Sequence, residues 1–239
     1  MLACAVSAAI FWAGEALLAN AAGIALTAEL AVLPGDERIR ITPGDVHGDR
    51  RGIGIRGSGG IGGGAIVDGH QLRGAAGYAG ELGHVRISAG NAKDYSGLSG
   101  TLESLVRRDD LLDIFKFDSA ADEELDAEIR STKSTKAVKL LNEQIDALGL
   151  GLSNFVNIFN PQVVVLAGFL TSLFRFDEER LINRMREGAL GAAHERVVIR
   201  SAELGSDLLM FGAAELPFGD LISRPSNAKL ITPKGKGAK

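Results

Sequence analysis

The sequence predicts an α/β fold built on a largely parallel sheet, with some antiparallel pairing near one hairpin. Short apolar or β-branched segments alternate with longer segments of helical periodicity, which is typical of α/β proteins. Residues 162–166 are apolar on both faces, as in a strand covered by helices on both sides. The pair Asp68-Gly69 favours a tight turn between antiparallel strands.

The predicted elements follow one another along the chain. We expect strands at residues 38–42, 52–56, 65–68, 162–166 and 196–200, and helices at residues 102–117, 120–130, 134–159, 176–192 and 207–222. The helix at 134–159 has the clearest pattern, because six apolar residues step by four and three along one face: Leu141, Ile145, Leu148, Leu152, Phe155 and Phe159. Asn160-Pro161 ends it, since the residue before a proline disfavours helix.

The composition is that of an ordinary globular protein. The chain has 239 residues, 46% hydrophobic and 23% charged, which suits one large domain or two lobes and excludes a fibrous or disordered protein. Its net charge of −4 provides no broad basic face for nucleic acid. The single cysteine, Cys4, excludes an internal disulfide and a zinc site made of several thiolates. We expect a cytoplasmic protein.

The N-terminal segment is almost entirely apolar, with Glu15 as the charged residue within residues 2–26. Such a run is long enough to span a bilayer. It has no Lys or Arg before Pro34 and is interrupted by glycine and asparagine, unlike a signal peptide or a membrane anchor. We therefore expect a buried segment of a soluble fold with no membrane contact, and a chain that begins abruptly, as if an upstream part were missing.

A glycine-rich run occupies residues 57–64. Its spacing matches a dinucleotide-binding fingerprint, but that fingerprint requires a strand before it and a helix after it. Here the run lies between two predicted strands, and no Walker lysine accompanies it. Its backbone N–H groups can still bind a phosphate, because glycine allows close approach. A flexible turn is the alternative.

Three long stretches carry a family resemblance: GIGGGAIVDGHQLRGAAGYAGELGH, GLGLSNFVNIFNPQVVVLAG and LGSDLLMFGAAELPFGDLI. They resemble the ROK family (repressors, open reading frames, kinases), which contains sugar kinases and sugar-responsive repressors. The resemblance implies an actin-like ATPase, ribonuclease H-like fold, with the C-terminal lobe and part of the N-terminal lobe present. It divides the chain into an N-terminal-lobe remnant (1–33), a sugar-binding, kinase-like domain (34–225) and a basic flexible tail (226–239).

The resemblance also locates the catalytic base of the kinases, the aspartate of an Asn-Asp-Ala-Asn segment. The matching segment here is Asn20-Ala21-Ala22-Gly23, so the base position is Ala21. A methyl group accepts no proton, and general-base assistance is worth about 10²–10⁴-fold in rate. We therefore expect no catalytic residue at this position.

The sugar-binding residues implied by the resemblance are Asn20, Glu81, His84 and Glu103. Carboxylates and an imidazole grouped in a cleft supply the hydrogen-bond acceptors and donors that a polyol requires. Considered without the motif, Glu81 is equally consistent with a surface carboxylate, and His84 with a satisfied buried imidazole.

Relatives usually follow this histidine with a zinc box, Cys-x-Cys-Gly-x-x-Gly-Cys-x-Glu, in which three thiolates and the histidine hold the ion. In this chain the cysteine positions are Asp94, Ser96 and Thr101. Hydroxyls are poor zinc ligands, so we expect no zinc. We also expect the loop at residues 88–100 to lose the clip that orders it, which would leave the contacts of Glu103 loose.

ATP binding is expected to be lost as well, so that no cofactor remains. Kinases of this fold open with an Asp-x-Gly-Gly-Thr loop, and this sequence contains no Gly-Gly-Thr. Ala167-Gly168-Phe169 replaces a glycine triplet that the family commonly places near the nucleotide. The resemblance leaves a phosphate-loop remnant consisting of Gly59, Gly60, Gly62, Gly63 and Gly64.

Three functions remain open. The first is the sugar-sensing domain of a transcriptional regulator, N-terminally truncated and lacking the helix-turn-helix, so that this chain itself makes no DNA contact. The second is an active sugar kinase of the glucokinase or N-acetylmannosamine kinase type. The third is an inactive scaffold. A small-molecule sugar is the expected ligand, and a homodimer the expected assembly.

Overall fold

A computed structural model describes residues 51–68 and 70–202. Its strands in this part of the chain are β1 (Gly52–Gly57), β2 (Ile61–Val67), β3 (His70–Gln71), β4 (Val163–Gly168) and β5 (Val198–Ser201). The α-helices are α1 (Leu102–Leu105), α2 (Arg108–Phe115), α3 (Asp122–Ser131), α4 (Thr135–Phe159), α5 (Phe169–Phe176), α6 (Glu178–Gly188) and α7 (Gly191–His194), and a 3₁₀ helix covers Leu82–His84.

The five described strands form one mixed sheet in the order β3-β2-β1-β4-β5. The pairs β1–β2 and β2–β3 are antiparallel, whereas β1–β4 and β4–β5 are parallel. The α/β class is thus as predicted, although the antiparallel part reaches the central strand β1. The hairpin predicted at Asp68 is confirmed, since Val67 pairs with His70 across it.

The long helix α4 has nearly the predicted bounds. Ser134 caps its start by accepting a hydrogen bond from Ala137 N at 3.3 Å, and Asn160 ends it with a left-handed φ of 45°. The first five residues of the predicted stripe are fully buried and Phe159 is partly buried. Gly149 allows close packing on α6, because a β-carbon there would lie 2.7 Å from Arg184 Cβ.

Strand β4 is buried on both faces, as its sequence predicts. Val164 and Leu166 belong to the main core, and Val163 and Val165 to a smaller apolar cluster. Alternate residues of a strand point to opposite faces. This buried strand leads directly into α5, which brings Phe169 to the edge of the cleft described below.

Several predicted boundaries need correction. Strand β2 begins at Ile61, so most of the glycine run lies in a strand and only residues 58–60 form the turn. Pairing with β1, in register from Gly54↔Gly64 to Gly57↔Ile61, outweighs the low strand propensity of glycine. The helix predicted at 102–117 is two helices, α1 and α2. Gln144 Nε2 donates at 2.9 Å to the Arg107 carbonyl between them.

The helix predicted at 176–192 is also divided. Asp177 has a non-helical backbone conformation (φ −149°, ψ 80°) and caps α6 by accepting a hydrogen bond from Arg180 N at 3.0 Å. Helix α5, which precedes it, is absent from the sequence prediction. Within the described residues, no helix is long and apolar enough to cross a membrane.

Some predictions concern residues outside the described ranges. They are the strand at 38–42, the helix at 207–222, both domain boundaries, and the positions Asn20 and Ala21.

Candidate functional site

Of the predicted sugar-binding residues, the three within the described ranges, Glu81, His84 and Glu103, lie where the turn between β1 and β2, the 3₁₀ helix and α1 meet. Glu81 directly precedes the 3₁₀ helix and is half-buried, and its carbonyl accepts a hydrogen bond from His84 N at 3.2 Å. Glu103 lies in the first turn of α1. His84 and Glu103 are close together, because their potential ligand atoms, with that of Asp94, all lie within 4.8 Å of one another.

Glu103 is a buried carboxylate, 7% exposed. Its Oε2 accepts a 2.6 Å hydrogen bond from the backbone N–H of Ile61, and the Tyr95 N–H also bonds to this carboxylate. Burial raises the pKa of Glu103 above its ordinary value, against the opposing effects of these N–H groups and of His84. The carboxylate is therefore fixed in position but poorly solvated, unlike the loose side chain predicted.

The four positions of the zinc box come together around Asp94. Its Oδ1 accepts from Ser96 Oγ at 2.7 Å and from Leu98 N at 2.9 Å. Its Oδ2 accepts from Thr101 Oγ1 at 2.9 Å and lies 3.0 Å from His84 Nδ1. We call this group, consisting of His84, Asp94, Ser96 and Thr101, the Asp94 cluster.

The environment of Asp94 favours its ionised form. The side chain is 0% exposed, and burial alone would raise its pKa, but the hydrogen bonds from Ser96, His84, Thr101 and Leu98 outweigh burial and lower the pKa below its ordinary value. An ionised carboxylate only accepts hydrogen bonds. His84 Nδ1 must therefore carry a proton.

Tyr95 connects this cluster to the open side of the site. Its hydroxyl lies 3.1 Å from His84 Nε2, and the two rings meet edge to face with their centroids 5.3 Å apart. The tyrosine side chain is exposed. Asp94 contacts Nδ1 of His84, and the Tyr95 hydroxyl thus contacts the other imidazole nitrogen, Nε2.

A cleft of ≈ 190 Å³ opens beside these residues. Its walls include Gly59, Gly60, Tyr95, Glu103 and Phe169. Cationic side chains also line it, namely Lys93, Arg107 and Arg108. The cleft therefore combines acceptors, a phenol and positive charge, which suits a small polar ligand.

Comparison with known proteins assigns the chain to a family. The sequence matches the family described as ROK family over residues 47–218. The chain belongs to the ROK family. The xylose repressor of Caldicellulosiruptor bescii is 29% identical over 187 residues, covering 71% of this chain and 46% of the repressor. The glucokinase of Thermotoga maritima is 25% identical, covering 66% and 55%.

The ROK chain spans about half the length of these curated relatives. Among solved structures, the ROK hexokinase from Thermus thermophilus aligns with a TM-score of 0.63 at 29% identity, covering 84% of this chain and 65% of the hexokinase. A ROK family transcriptional regulator, homolog of the E. coli MLC protein, gives a TM-score of 0.61 at 22% identity over 81% and 49%. These likenesses confirm the predicted actin-like ATPase fold.

The zinc ion that the family resemblance associates with these positions does not fit the residues present. Both oxygens of Asp94 are engaged by donors, and the hydroxyls of Ser96 and Thr101 point their protons at that carboxylate. Neutral hydroxyls in any case bind zinc weakly beside thiolate and imidazole. His84, Asp94 and Glu103 are the ligand types left for a cation.

The glycines of the proposed phosphate-loop remnant occupy different environments. Gly59 and Gly60 form the turn that lines the cleft, whereas Gly62, Gly63 and Gly64 belong to β2. A β-carbon on Gly63 would lie 2.7 Å from Leu82 Cδ1. Gly63 therefore allows the segment before His84 to pack closely on the sheet, a role that sequence reasoning did not foresee, whereas a β-carbon on Gly62 would meet nothing within 4 Å.

The residues that replace the family's glycine triplet are buried. Ala167 is 3% exposed in β4 and Phe169 is 1% exposed at the start of α5. The ring of Phe169 covers Gly57, where an added β-carbon would overlap it. Phe169 therefore fills space beside the β1–β2 turn with an apolar side chain.

Sequence reasoning named Glu103 and His84 as candidate site residues but gave no such role to Asp94 and Tyr95, which the structure places beside them. A signal for Asp94 was available, since three cysteines were replaced by one anionic acceptor and two hydroxyl donors. Tyr95 gave no signal, because its two contacts depend on how the loop folds over the cleft.

Proposed function

We propose that this chain is a sugar-sensing domain of a ROK-type transcriptional regulator, which binds a small sugar effector without phosphorylating it. The observation that carries the proposal is the buried Glu103 carboxylate, held by Ile61 N–H at the wall of the cleft with His84 beside it. We further propose that it acts in the cytoplasm as a homodimer.

The chemistry of the cleft supports sugar recognition. A sugar presents several adjacent hydroxyls, each of which both donates and accepts hydrogen bonds. Glu103 offers acceptor oxygens at the wall of the cleft. His84 and Glu81 lie behind this wall: His84 is close to Glu103 and offers a nitrogen that accepts once its partner Tyr95 moves aside, and Glu81 precedes His84 by one turn of 3₁₀ helix. The volume of the cleft, ≈ 190 Å³, limits the ligand to a small molecule.

Two features of the sequence favour sensing over catalysis. By the family resemblance, Ala21 stands at the base position of the kinases, and a hexose hydroxyl needs a base to attack a phosphate. Phe169 and Ala167 replace glycines that the family commonly places near the nucleotide. Without a catalytic base and without the nucleotide-binding glycines, a bound sugar would leave the site chemically unchanged, as an effector does.

The regulator relatives support a pentose or hexose effector. Xylose repressors from Caldicellulosiruptor and Bacillus are among the matches, the Bacillus subtilis protein at 34% identity over 111 residues. We propose DNA binding and repression only for a full-length regulator, in which this chain would form the sugar-sensing part. The alternative function is a sugar kinase, which the 29% identity to the ROK hexokinase favours.

Calorimetric titration of the purified chain with xylose, glucose, N-acetylglucosamine and N-acetylmannosamine tests the proposal. We expect saturable binding of one sugar, lost in Glu81→Ala and retained in Glu123→Ala, which removes an exposed carboxylate on α3. An ATP-coupled assay with the same sugars should show no phosphorylation. Turnover would establish the kinase instead, and absence of binding by a folded chain would favour a scaffold.

A further inference from the structure

The Asp94 cluster reverses the electrostatics of the metal site that it replaces. By family resemblance, the positions of His84, Asp94, Ser96 and Thr101 surround a cation with four electron-pair donors. In this chain the centre is an anion, and the surrounding groups are proton donors. All four positions follow this reversed pattern: Asp94 is the acceptor, and the other three residues supply N–H or O–H groups.

We propose that the Asp94 carboxylate is the centre of a metal-free clip, which orders the loop at residues 93–101 and positions His84 and Glu103. The ordering role is independent of the proposed function. Only the positioning of a sugar site rests on that function.

The hydrogen bonding of Asp94 is complete without a metal. Each carboxylate oxygen accepts two hydrogen bonds, Oδ1 from Ser96 and Leu98 and Oδ2 from Thr101 and His84. A carboxylate has about four lone-pair sites, so all of its acceptor capacity is used. Such charge-assisted bonds are roughly twice as strong as neutral ones. The buried charge is therefore fully compensated by the chain itself.

The clip closes the loop on itself. Asp94 N donates to the Leu98 carbonyl at 2.9 Å, and Gly97 N donates to the Asp94 carbonyl at 3.0 Å. A bridge between Lys93 and Ser99 closes its base. The carboxylate thus stabilises a compact turn that contains no regular secondary structure.

The clip also joins the loop to the two elements that carry the site. His84 ends the 3₁₀ helix, and Thr101 is the N-cap of α1, accepting from Ser104 N at 3.2 Å. Thr101 therefore donates to Asp94 and accepts from the helix at the same time. Glu103 follows two residues later on α1. By fixing the N-cap, the clip therefore fixes the position of Glu103 on the helix.

Tyr95, the residue after Asp94, connects the ordered loop to the cleft. Its backbone N–H bonds to Glu103 and its hydroxyl to His84 Nε2. Because Asp94 fixes the proton on His84 Nδ1, the other nitrogen is left to face Tyr95. A loop released from Asp94 would lose both contacts. Asp94 is therefore a positioning residue that acts through His84 and Tyr95.

The first test measures metal dependence in the purified full chain. Elemental analysis should find substoichiometric zinc, and the thermal unfolding midpoint and the hydrogen exchange of the Leu98 amide should be the same with EDTA, without it and with added Zn²⁺. A midpoint that falls with EDTA and recovers with Zn²⁺ would overturn the proposal in favour of a cation held by His84, Asp94 and Glu103.

The second test removes the carboxylate. Asp94→Ala should speed exchange at Leu98 by on the order of tenfold or more, whereas Asp118→Ala, in an exposed loop, should leave it unchanged. Equal exchange in the two variants would refute the clip. Should Asp94→Ala fail to fold, Ser96→Ala removes one donor and leaves the Oδ2 bonds in place; it should speed exchange by a smaller factor, and no change would count against the clip.

The positioning role has its own spectroscopic signature. The imidazole ¹⁵N shifts of His84 should report the Nδ1–H tautomer in the unaltered chain and move toward the Nε2–H tautomer in Asp94→Ala. Simple loosening of the fold would instead average the signals. Nε2–H in the unaltered chain would contradict the assignment. These measurements need no sugar, so failure of sugar binding and failure of the clip are distinguishable.

Discussion

Gly60 and Glu103 are packed so closely that a β-carbon built on Gly60 would lie 2.6 Å from Glu103 Oε2. The same oxygen accepts the N–H of Ile61, the next residue, at 2.6 Å. The backbone of the turn between β1 and β2 therefore contacts the carboxylate directly, through the Ile61 N–H and the close approach of Gly60. Glycine is required here for space, since Gly60 has no positive φ.

Gly60→Ala should displace the Glu103 carboxylate and weaken binding of the sugar. Losing a buried, charge-assisted hydrogen bond costs about 1.5–3 kcal/mol, so we expect the dissociation constant to rise about tenfold or more by calorimetry. Gly59→Ala is the matched control, because a β-carbon there meets nothing within 4 Å. Equal losses in the two variants would show that the turn matters only through its flexibility.

Glu103→Gln should abolish most sugar binding and change how stability depends on pH. Burial raises the pKa of Glu103 in the folded chain above that in the unfolded chain, so folding disfavours the ionised form. Its contribution to stability is present below the unfolded pKa and is lost as pH rises through the folded pKa. As pH rises from acid to neutral, the free energy of unfolding of the unaltered chain should therefore fall relative to that of the glutamine variant.

Urea unfolding of both chains across this pH range measures the difference. The exposed Glu123→Gln on α3 serves as control and should run parallel to the unaltered chain. A constant gap between Glu103→Gln and the unaltered chain at every pH would mean that the Glu103 pKa is not raised.

Tyr95→Phe should strengthen sugar binding. The Tyr95 hydroxyl occupies His84 Nε2 at 3.1 Å, and a sugar hydroxyl must replace it to reach that nitrogen. A hydrogen bond of this kind contributes about 0.5–1.5 kcal/mol net, which corresponds to a gain in affinity of about two- to tenfold. Calorimetry with the preferred sugar measures this, and a loss of affinity would show that the phenol itself contacts the ligand.

Local patterns were sufficient to predict much of the fold. The apolar stripe predicted α4 and the β-branched run predicted β4, because each pattern extends over several turns or is bounded by a clear stop at Asn160-Pro161. The strand at 61–64 and the break between α1 and α2 could not be predicted. The first depends on pairing with β1 and the second on Gln144, which lies 37 residues from Arg107 in sequence.

The candidate site was predictable only as a set of residues. The motif gave Glu81, His84 and Glu103, but it implied a loose loop because the zinc thiolates are absent. The hydrogen bonds from His84 and Thr101 to Asp94 span 10 and 7 residues. Such contacts follow from the path of an irregular loop, which no periodicity encodes. The replacement of three cysteines by one acceptor and two donors was visible in the sequence, but the hydrogen bonds that join them to Asp94 required the structure.

Two neighbouring residues of α6 allow a direct comparison of what holds α6 to α4. Arg180 forms a bidentate ion pair with Asp146 at 2.7 and 2.6 Å, but the two side chains are 39% and 38% exposed. Leu181 is fully buried in the main core. Solvent screening leaves an exposed ion pair worth about 0.2–1 kcal/mol, whereas truncating a buried leucine costs about 2–5 kcal/mol.

We therefore expect Arg180→Met to lower the free energy of unfolding by less than about 1 kcal/mol, because methionine keeps the apolar stem and the helix propensity. Leu181→Ala should lower it by about 2–5 kcal/mol. Urea unfolding at low and high salt separates the two terms, since salt should erase the Arg180 effect and leave that of Leu181. A larger loss in Arg180→Met than in Leu181→Ala would mean that electrostatics, rather than packing, joins α4 to α6.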